Sequence, residues 1–145
     1  MINTRHNVFE TNSSSSHSFT ISISTSGVLE TIAPNSKGEI VLKGGDFSRS
    51  EFYIQSALEK ANAIAVFCVV TEDSNVKEMF EEMMLKHTGA SSLKYDIILT
   101  GPDRNSYLSK EVMNYLYEAV GSKKDMKDFV FNPSSHFDAE FEYDG

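Results

Sequence analysis

Apolar and polar residues alternate at two places along the chain, and both places predict strands with one buried face. From residue 19 to residue 24, Phe and Ile alternate with Thr and Ser, which is the two-residue period of a half-buried strand. Near the other end, the apolar residues at Phe137, Ala139, Phe141 and Tyr143 alternate with acidic residues. We therefore predict a last strand that has one acidic face.

Three longer stretches repeat apolar residues at helical spacing. The first helix is predicted over residues 48–68, where Ser48 fits the cap of a capping box and Phe52 lies inside the helix. Its last residues are rich in Val, a strand former, but the helical spacing continues through them. The second helix is predicted to be capped by Ser74, and the third to cover residues 110–120.

Short strands complete the predicted fold. They fall at residues 28–32, 39–42, 93–99 and 129–131, where β-branched and aromatic residues are bounded by turn formers. A chain of 145 residues is long enough for one domain with a real core. We predict a single α+β domain over residues 1–145, with a small antiparallel sheet and about three helices packed on one face.

The composition is that of a globular protein, and its charge restricts the partners. The net charge of -8 argues against broad nucleic-acid binding, which needs a basic face to displace counterions. It suits a small cationic ligand, a basic protein partner, or plain solubility. Cys68 is the only cysteine, so no intramolecular disulfide forms and a reducing, cytoplasmic location is expected.

Neither a membrane segment nor a metal site is predicted. The first fifteen residues are polar, unlike a secretory signal peptide. The longest apolar run covers residues 63–70, whereas a membrane span needs roughly 20 residues. One cysteine and no zinc-like spacing of Cys and His argue against structural zinc, and no motif predicts a cofactor.

The main candidate site lies in the segment from Arg5 to His17. Seven of its polar or charged residues are the candidate ligand contacts: Arg5, Asn12, Ser13, Ser14, Ser15, Ser16 and His17. An ordered loop of this kind needs partners for its N–H and hydroxyl groups, and a bound phosphate would serve. We expect an anion or nucleotide cradle here, charged by Arg5 and fixed by Asn12. The alternative is a structural loop whose serines satisfy one another and the backbone.

Catalysis by the same segment is an open question. His17 beside Ser15 suggests a base and a nucleophile, with Glu10 to orient the histidine. In an extended chain, however, Ser15 and His17 lie roughly 6.5 Å apart, too far for direct proton transfer. The Gly-x-Ser-x-Gly elbow of serine hydrolases is also missing from the sequence.

The same segment carries a resemblance to known proteins. Residues 5–18 read RxxVFETNSSSxHS, which resembles an N-terminal signature of proteins from tailed phages and some bacteria. The FxFNP string at residues 129–133 is similar to the way such proteins end. The resemblance implies a phage-encoded accessory protein, and it carries no assigned activity.

The acidic last strand is the second candidate site. Asp138, Glu140 and Glu142 are expected on one strand face, where they would attract a basic surface. Alternatives are a merely solvated face or a hard-cation site. The cation site is the weaker of these, because alternate carboxylates along a strand are roughly 6.5–7 Å apart and do not converge unaided.

Together these features predict a phage or prophage accessory protein that binds a host macromolecule, through a basic surface of a host protein. The alternative is a protein that handles a nucleotide or phosphate ligand at its N-terminal Ser/His segment, as a small transferase or hydrolase would. Oligomeric state is not predicted.

Overall fold

The computed structural model describes residues 6–12, 17–44, 52–98, 108 and 110–141, and for residues 6–12, 17–18 and 140–141 it describes the backbone alone. The predicted α+β class is confirmed. The elements of these residues are β1 His6–Asn12, β2 His17–Ser24, β3 Glu39–Lys43, β4 Phe52–Ile54, α1 Ala57–Thr71, α2 Ser74–Thr88, β5 Ser92–Asp96, α3 Lys110–Ala119, α4 Lys123–Phe131 and β6 His136–Phe141.

The main sheet has four strands in the order β1-β2-β6-β4, and every pair is antiparallel. Its register places Ile21 opposite Phe137, and Phe137 opposite Ile54. All three of these side chains are buried, because strand periodicity puts directly opposed residues on the same face. That face packs against α3 and α4, which both contact β2. The predicted inner face is therefore confirmed at residues 19–24 and 137–139. The predicted outer face of β2 is only partly confirmed, because Ser22 and Ser24 are buried as well.

The strands predicted at 39–42 and 93–99 exist, but they form a separate sheet. β3 and β5 pair in parallel, with Leu42 opposite Tyr95. Parallel neighbours need a long crossover connection, and here β4, α1 and α2 lie between them in the chain. α1 packs against β3 and α2 packs against β5. The two-stranded sheet therefore contacts the core through these two helices.

The first helix begins at Ala57, so the predicted start at Ser48 is wrong. Ser56 is the N-cap: its Oγ accepts from the Glu59 N–H at 3.2 Å and donates to the Glu59 carboxylate at 2.9 Å. The sequence contains two Ser-x-x-Glu patterns close together, and either could form a capping box. Phe52 lies in β4, where the segment Phe52–Ile54 pairs with β6, because aromatic and β-branched residues favour a strand. The continuation through the Val-rich end, to Thr71, is confirmed.

α2 and α3 match their predictions closely. The N-cap of α2 is Asp73, one residue before the predicted Ser74, and Gly89 ends the helix in the left-handed region with φ of 76°. Its buried residues include Phe80 and Met84, as the helical spacing predicted.

Two predicted strands are wrong. Residues 129–131 belong to α4, whose N-cap is Ser122, because Phe129, Val130 and Phe131 are all fully buried in the core and burial outweighs their strand propensity. Residues 28–32 form no strand. Their backbone instead contacts α4, where the Glu30 N–H donates to the Phe131 carbonyl at 2.7 Å.

Candidate functional site

The N-terminal candidate residues lie only partly within the described chain. β1 ends at Asn12 and β2 begins at His17, with Asn12 opposite Ser18. Arg5 and the four serines, Ser13 to Ser16, lie outside the described residues. Glu10 lies opposite Thr20, three residues along β2 from His17, which is a backbone separation of roughly 10 Å. The anion cradle and the catalytic roles of Ser15, His17 and Glu10 therefore stay predictions.

The acidic candidate strand, β6, runs between β2 and β4 in the middle of the sheet. Phe137 and Ala139 are buried, whereas Asp138 between them is half-exposed. Asp138 lies opposite Thr20 on one side and Tyr53 on the other. Glu140 is the next residue of the same strand parity, opposite Ser18, and Glu142 lies outside the described residues.

The side chains around Asp138 form what we call the outer sheet face, defined by Thr20, Tyr53, His136 and Asp138. Tyr53 is 53% exposed, and its ring centroid lies 5.6 Å from that of His136. Its hydroxyl donates to the Gln55 side-chain carbonyl at 3.1 Å, which fixes the ring. Among the described residues, no cation lies within ion-pair distance of Asp138.

Lys60 of α1 is fully buried. Its Nζ donates to the carbonyls of Asn132 at 2.8 Å and Ser135 at 2.7 Å. Burial lowers the pKa of Lys60 to about 8, and the nearby carboxylates of Glu30 and Glu59 offset only part of this. The lysine therefore holds the turn between α4 and β6 against α1.

Neighbouring polar groups extend this contact to β2. The Asn132 side-chain amide donates to the Ser26 carbonyl at 2.7 Å. The Ser135 hydroxyl donates to the Asp128 carbonyl at 2.8 Å and accepts from the Ser24 N–H at 2.9 Å. Every bond in this group ends on the backbone, so we assign it a structural role: it fixes where β6 begins relative to β2.

Cys68 is buried, and its surroundings make it a poor nucleophile. Burial raises the pKa of its thiol to about 12, and the charges of Asp73 and Glu81 add to the effect. An open cavity of about 460 Å³ borders it, lined also by Tyr95 and Lys77. The Tyr95 hydroxyl donates to the Glu81 carboxylate at 3.2 Å. The Lys77 ammonium lies 5.2 Å from the centroid of the Tyr95 ring.

A basic groove of about 600 Å³ lies between α2 and α4. Four lysines line it, together with a histidine and one acidic residue: Lys86, Lys123, Lys124, Lys127, His87 and Glu82. Sequence reasoning missed this cluster because residues 129–131 were assigned to a strand, which left the lysines at 123, 124 and 127 without a helix to bring them together. The pattern Ser122-x-x-Asp125, a cap followed by an acidic third residue, was the signal that could have revealed α4.

In the described part of the chain, no three His, Cys, Asp or Glu side chains are placed to hold a metal ion. None of the helices described here has the length and apolarity to cross a membrane. Comparison with models of protein families, with curated proteins and with solved structures finds no match to this chain.

Proposed function

We propose that this protein acts by binding a host macromolecule, and that the outer sheet face makes the contact. The observation that carries the proposal is the setting of Asp138. Asp138 is half-buried and lies on an inner strand of the sheet, opposite Tyr53, which is 53% exposed. The residues on either side of it in β6 are buried. A rigid strand thus presents an acidic group next to an aromatic one.

This combination suits a basic protein surface. Tyrosine is enriched in interfaces because it offers a large contact area at a low cost in conformational entropy. The carboxylate and the net charge of -8 attract a cationic partner from a distance and raise the rate of encounter. Glu140 follows Asp138 at the same strand parity, so the acidic stretch is expected to continue along β6.

The biological setting is part of the proposal. The resemblance of residues 5–18 to the opening of phage and bacterial proteins supports a phage or prophage accessory protein. The single cysteine supports action in the reducing cytoplasm of the bacterial host. The partner we expect is therefore a host protein with an exposed basic surface.

The test removes the acidic charge of the strand without changing its shape. The variant carries Asp138→Asn, Glu140→Gln and Glu142→Gln. Its matched control, Asp96→Asn with Glu78→Gln and Glu118→Gln, removes the same three charges from exposed positions on other elements. Tagged proteins are used to capture partners from bacterial lysate at about 0.1 M and about 1 M salt, where the Debye length is about 10 Å and about 3 Å.

We expect the wild type and the control to capture the same protein at low salt, and the acidic-strand variant to capture much less of it. High salt should weaken capture by every form, because screening removes the attraction. Equal capture by all three proteins at both salt concentrations would overturn the proposal, provided that their circular dichroism spectra and melting temperatures agree.

A further inference from the structure

We infer that the basic groove between α2 and α4 binds a small phosphate-bearing ligand of about nucleotide size. The inference rests on the groove alone and does not depend on the proposal for the outer sheet face. It also concerns different residues from the N-terminal Ser/His segment, because the described side chains that line the groove all belong to α2 or α4.

The first argument is the local excess of positive charge. Of the described residues that line the groove, Glu82 alone is acidic, against four lysines. Lys123 pairs with Glu82, and Lys124 pairs with Asp128 at 2.8 Å. Lys86 and Lys127 have no ion-pair partner among the described residues. In a chain of net charge -8, this local excess of ammonium groups would attract an anion.

The second argument is that the lysines of α4 lie against their helix dipole. Lys123 and Lys124 are the first two residues of α4, where the partial positive charge of the helix disfavours cations. Lys124 also precedes its partner Asp128, which is the less favourable order for a pair four residues apart. Local helix energetics therefore do not explain these positions, whereas the two ammonium groups would pair with a phosphate.

The α2 side of the groove adds a fixed ring. The His87 Nε2 lies 2.7 Å from the Glu30 carbonyl oxygen, which can only accept, so Nε2 carries the hydrogen. The ring also packs on Phe131, with centroids 4.1 Å apart. Its other nitrogen, Nδ1, is left to accept a hydrogen bond. Together with Met83, this ring gives the groove an apolar part for the organic portion of a ligand.

The size of the groove and the total charge select a small ligand. A volume of about 600 Å³ falls within the range of about 300–1,000 Å³ typical of small-molecule sites. A long polyanion needs a broad basic surface for binding. Beyond the four lysines, it would be repelled by a chain whose net charge is -8. We therefore expect one or a few phosphates to be bound.

The test is titration of the full chain with ATP, AMP, inorganic phosphate and adenosine. Calorimetry measures the affinity, and amide chemical shifts show which residues are affected. The variant is Lys86→Gln with Lys127→Gln, which removes the two unpaired charges and leaves both ion pairs in place. The matched control is Lys37→Gln with Lys94→Gln, two exposed lysines on other parts of the chain. It changes the net charge by the same amount.

We expect ATP to bind the wild type and to shift the amide resonances of α2 and α4. The groove variant should bind ATP about tenfold more weakly than the wild type, and the control should stay within about twofold of it. AMP and inorganic phosphate should bind more weakly than ATP, and adenosine should not bind. The inference is overturned if no phosphate probe binds the folded protein, if adenosine binds as well as ATP, or if the groove variant binds like the control. Tight binding of a single-stranded oligonucleotide without binding of ATP would likewise overturn it in favour of a nucleic-acid surface.

Discussion

Replacement of Lys60 by methionine should remove a pH dependence that Lys60 gives to the stability of the wild type above about pH 7. Lys60 is fully buried and donates to two backbone carbonyls, and its pKa in the folded state is about 8, below the ordinary value of 10.5. Methionine has a similar length and does not titrate. The change therefore removes one ionisable group from the core.

The sign follows from proton binding. Between about pH 8 and pH 10.5 the unfolded chain keeps the Lys60 proton and the folded chain loses it, so the unfolded state binds more protons and the free energy of unfolding rises with pH. The whole shift corresponds to about 3 kcal/mol, at about 1.4 kcal/mol per pKa unit. About 2 kcal/mol of it should appear between pH 7 and pH 9.5.

The substitution has two consequences of opposite sign at neutral pH. Loss of the ammonium leaves the Asn132 and Ser135 carbonyls without this donor, at a cost of about 1–3 kcal/mol each. It also removes the cost of keeping a charge in the core, which is about 3 kcal/mol at pH 7. Whatever the difference in stability at pH 7, we expect it to move by about 2 kcal/mol in favour of the wild type by pH 9.5.

Urea unfolding of both proteins, followed by circular dichroism from pH 7 to pH 9.5, measures this difference directly. Contributions from Cys68 and Tyr95, whose pKa values are both raised by burial, are common to the two proteins and cancel. Lys94→Met at an exposed position is the control and should give a constant difference from wild type. A constant difference for Lys60→Met as well would refute the reasoning, because it would mean that Lys60 keeps its ordinary pKa in the folded protein.

Two further predictions concern Cys68 and Arg5. With a thiol pKa of about 12, native Cys68 should react with a disulfide reagent at pH 8 about a thousandfold more slowly than an ordinary thiol. The rate should recover in urea, and equal rates before and after unfolding would contradict the burial effect. Arg5→Ala separates two hypotheses for phosphate binding. The N-terminal hypothesis predicts a loss of about 1.5–3 kcal/mol in ATP binding, whereas the groove predicts an unchanged Kd, as measured by calorimetry.

Local patterns predicted much of the secondary structure. The alternation at residues 19–24 and 137–139 set the inner face of the sheet correctly, since a two-residue period leaves little choice once one face is buried. The helices near residues 74–88 and 110–119 were equally clear, because their apolar stripes and stop signals agree. The position of Asp138 between the buried Phe137 and Ala139 followed from the same alternation.

Features that depend on contacts between distant residues were not predictable in this way. The strand propensity of residues 129–131 was outweighed by their burial within α4. The parallel pairing of β3 with β5 depends on the path of two intervening helices. Lys60 lies at helical spacing from Ala57 and Ile64 within the apolar stripe of α1, but its burial depends on carbonyls more than seventy positions away.

Site-specific photo-crosslinking tests the central claim, binding through the outer sheet face, most directly. A photo-reactive phenylalanine analogue replaces Tyr53, which is 53% exposed on that face, or Tyr117 of α3, which is 48% exposed. In bacterial lysate at about 0.1 M salt, where charges act over about 10 Å, we expect position 53 to crosslink one discrete protein and position 117 to crosslink none. The crosslink should disappear when Asp138→Asn, Glu140→Gln and Glu142→Gln are added. A partner that crosslinks equally from both positions, or one that persists after the three charges are removed, would contradict the account.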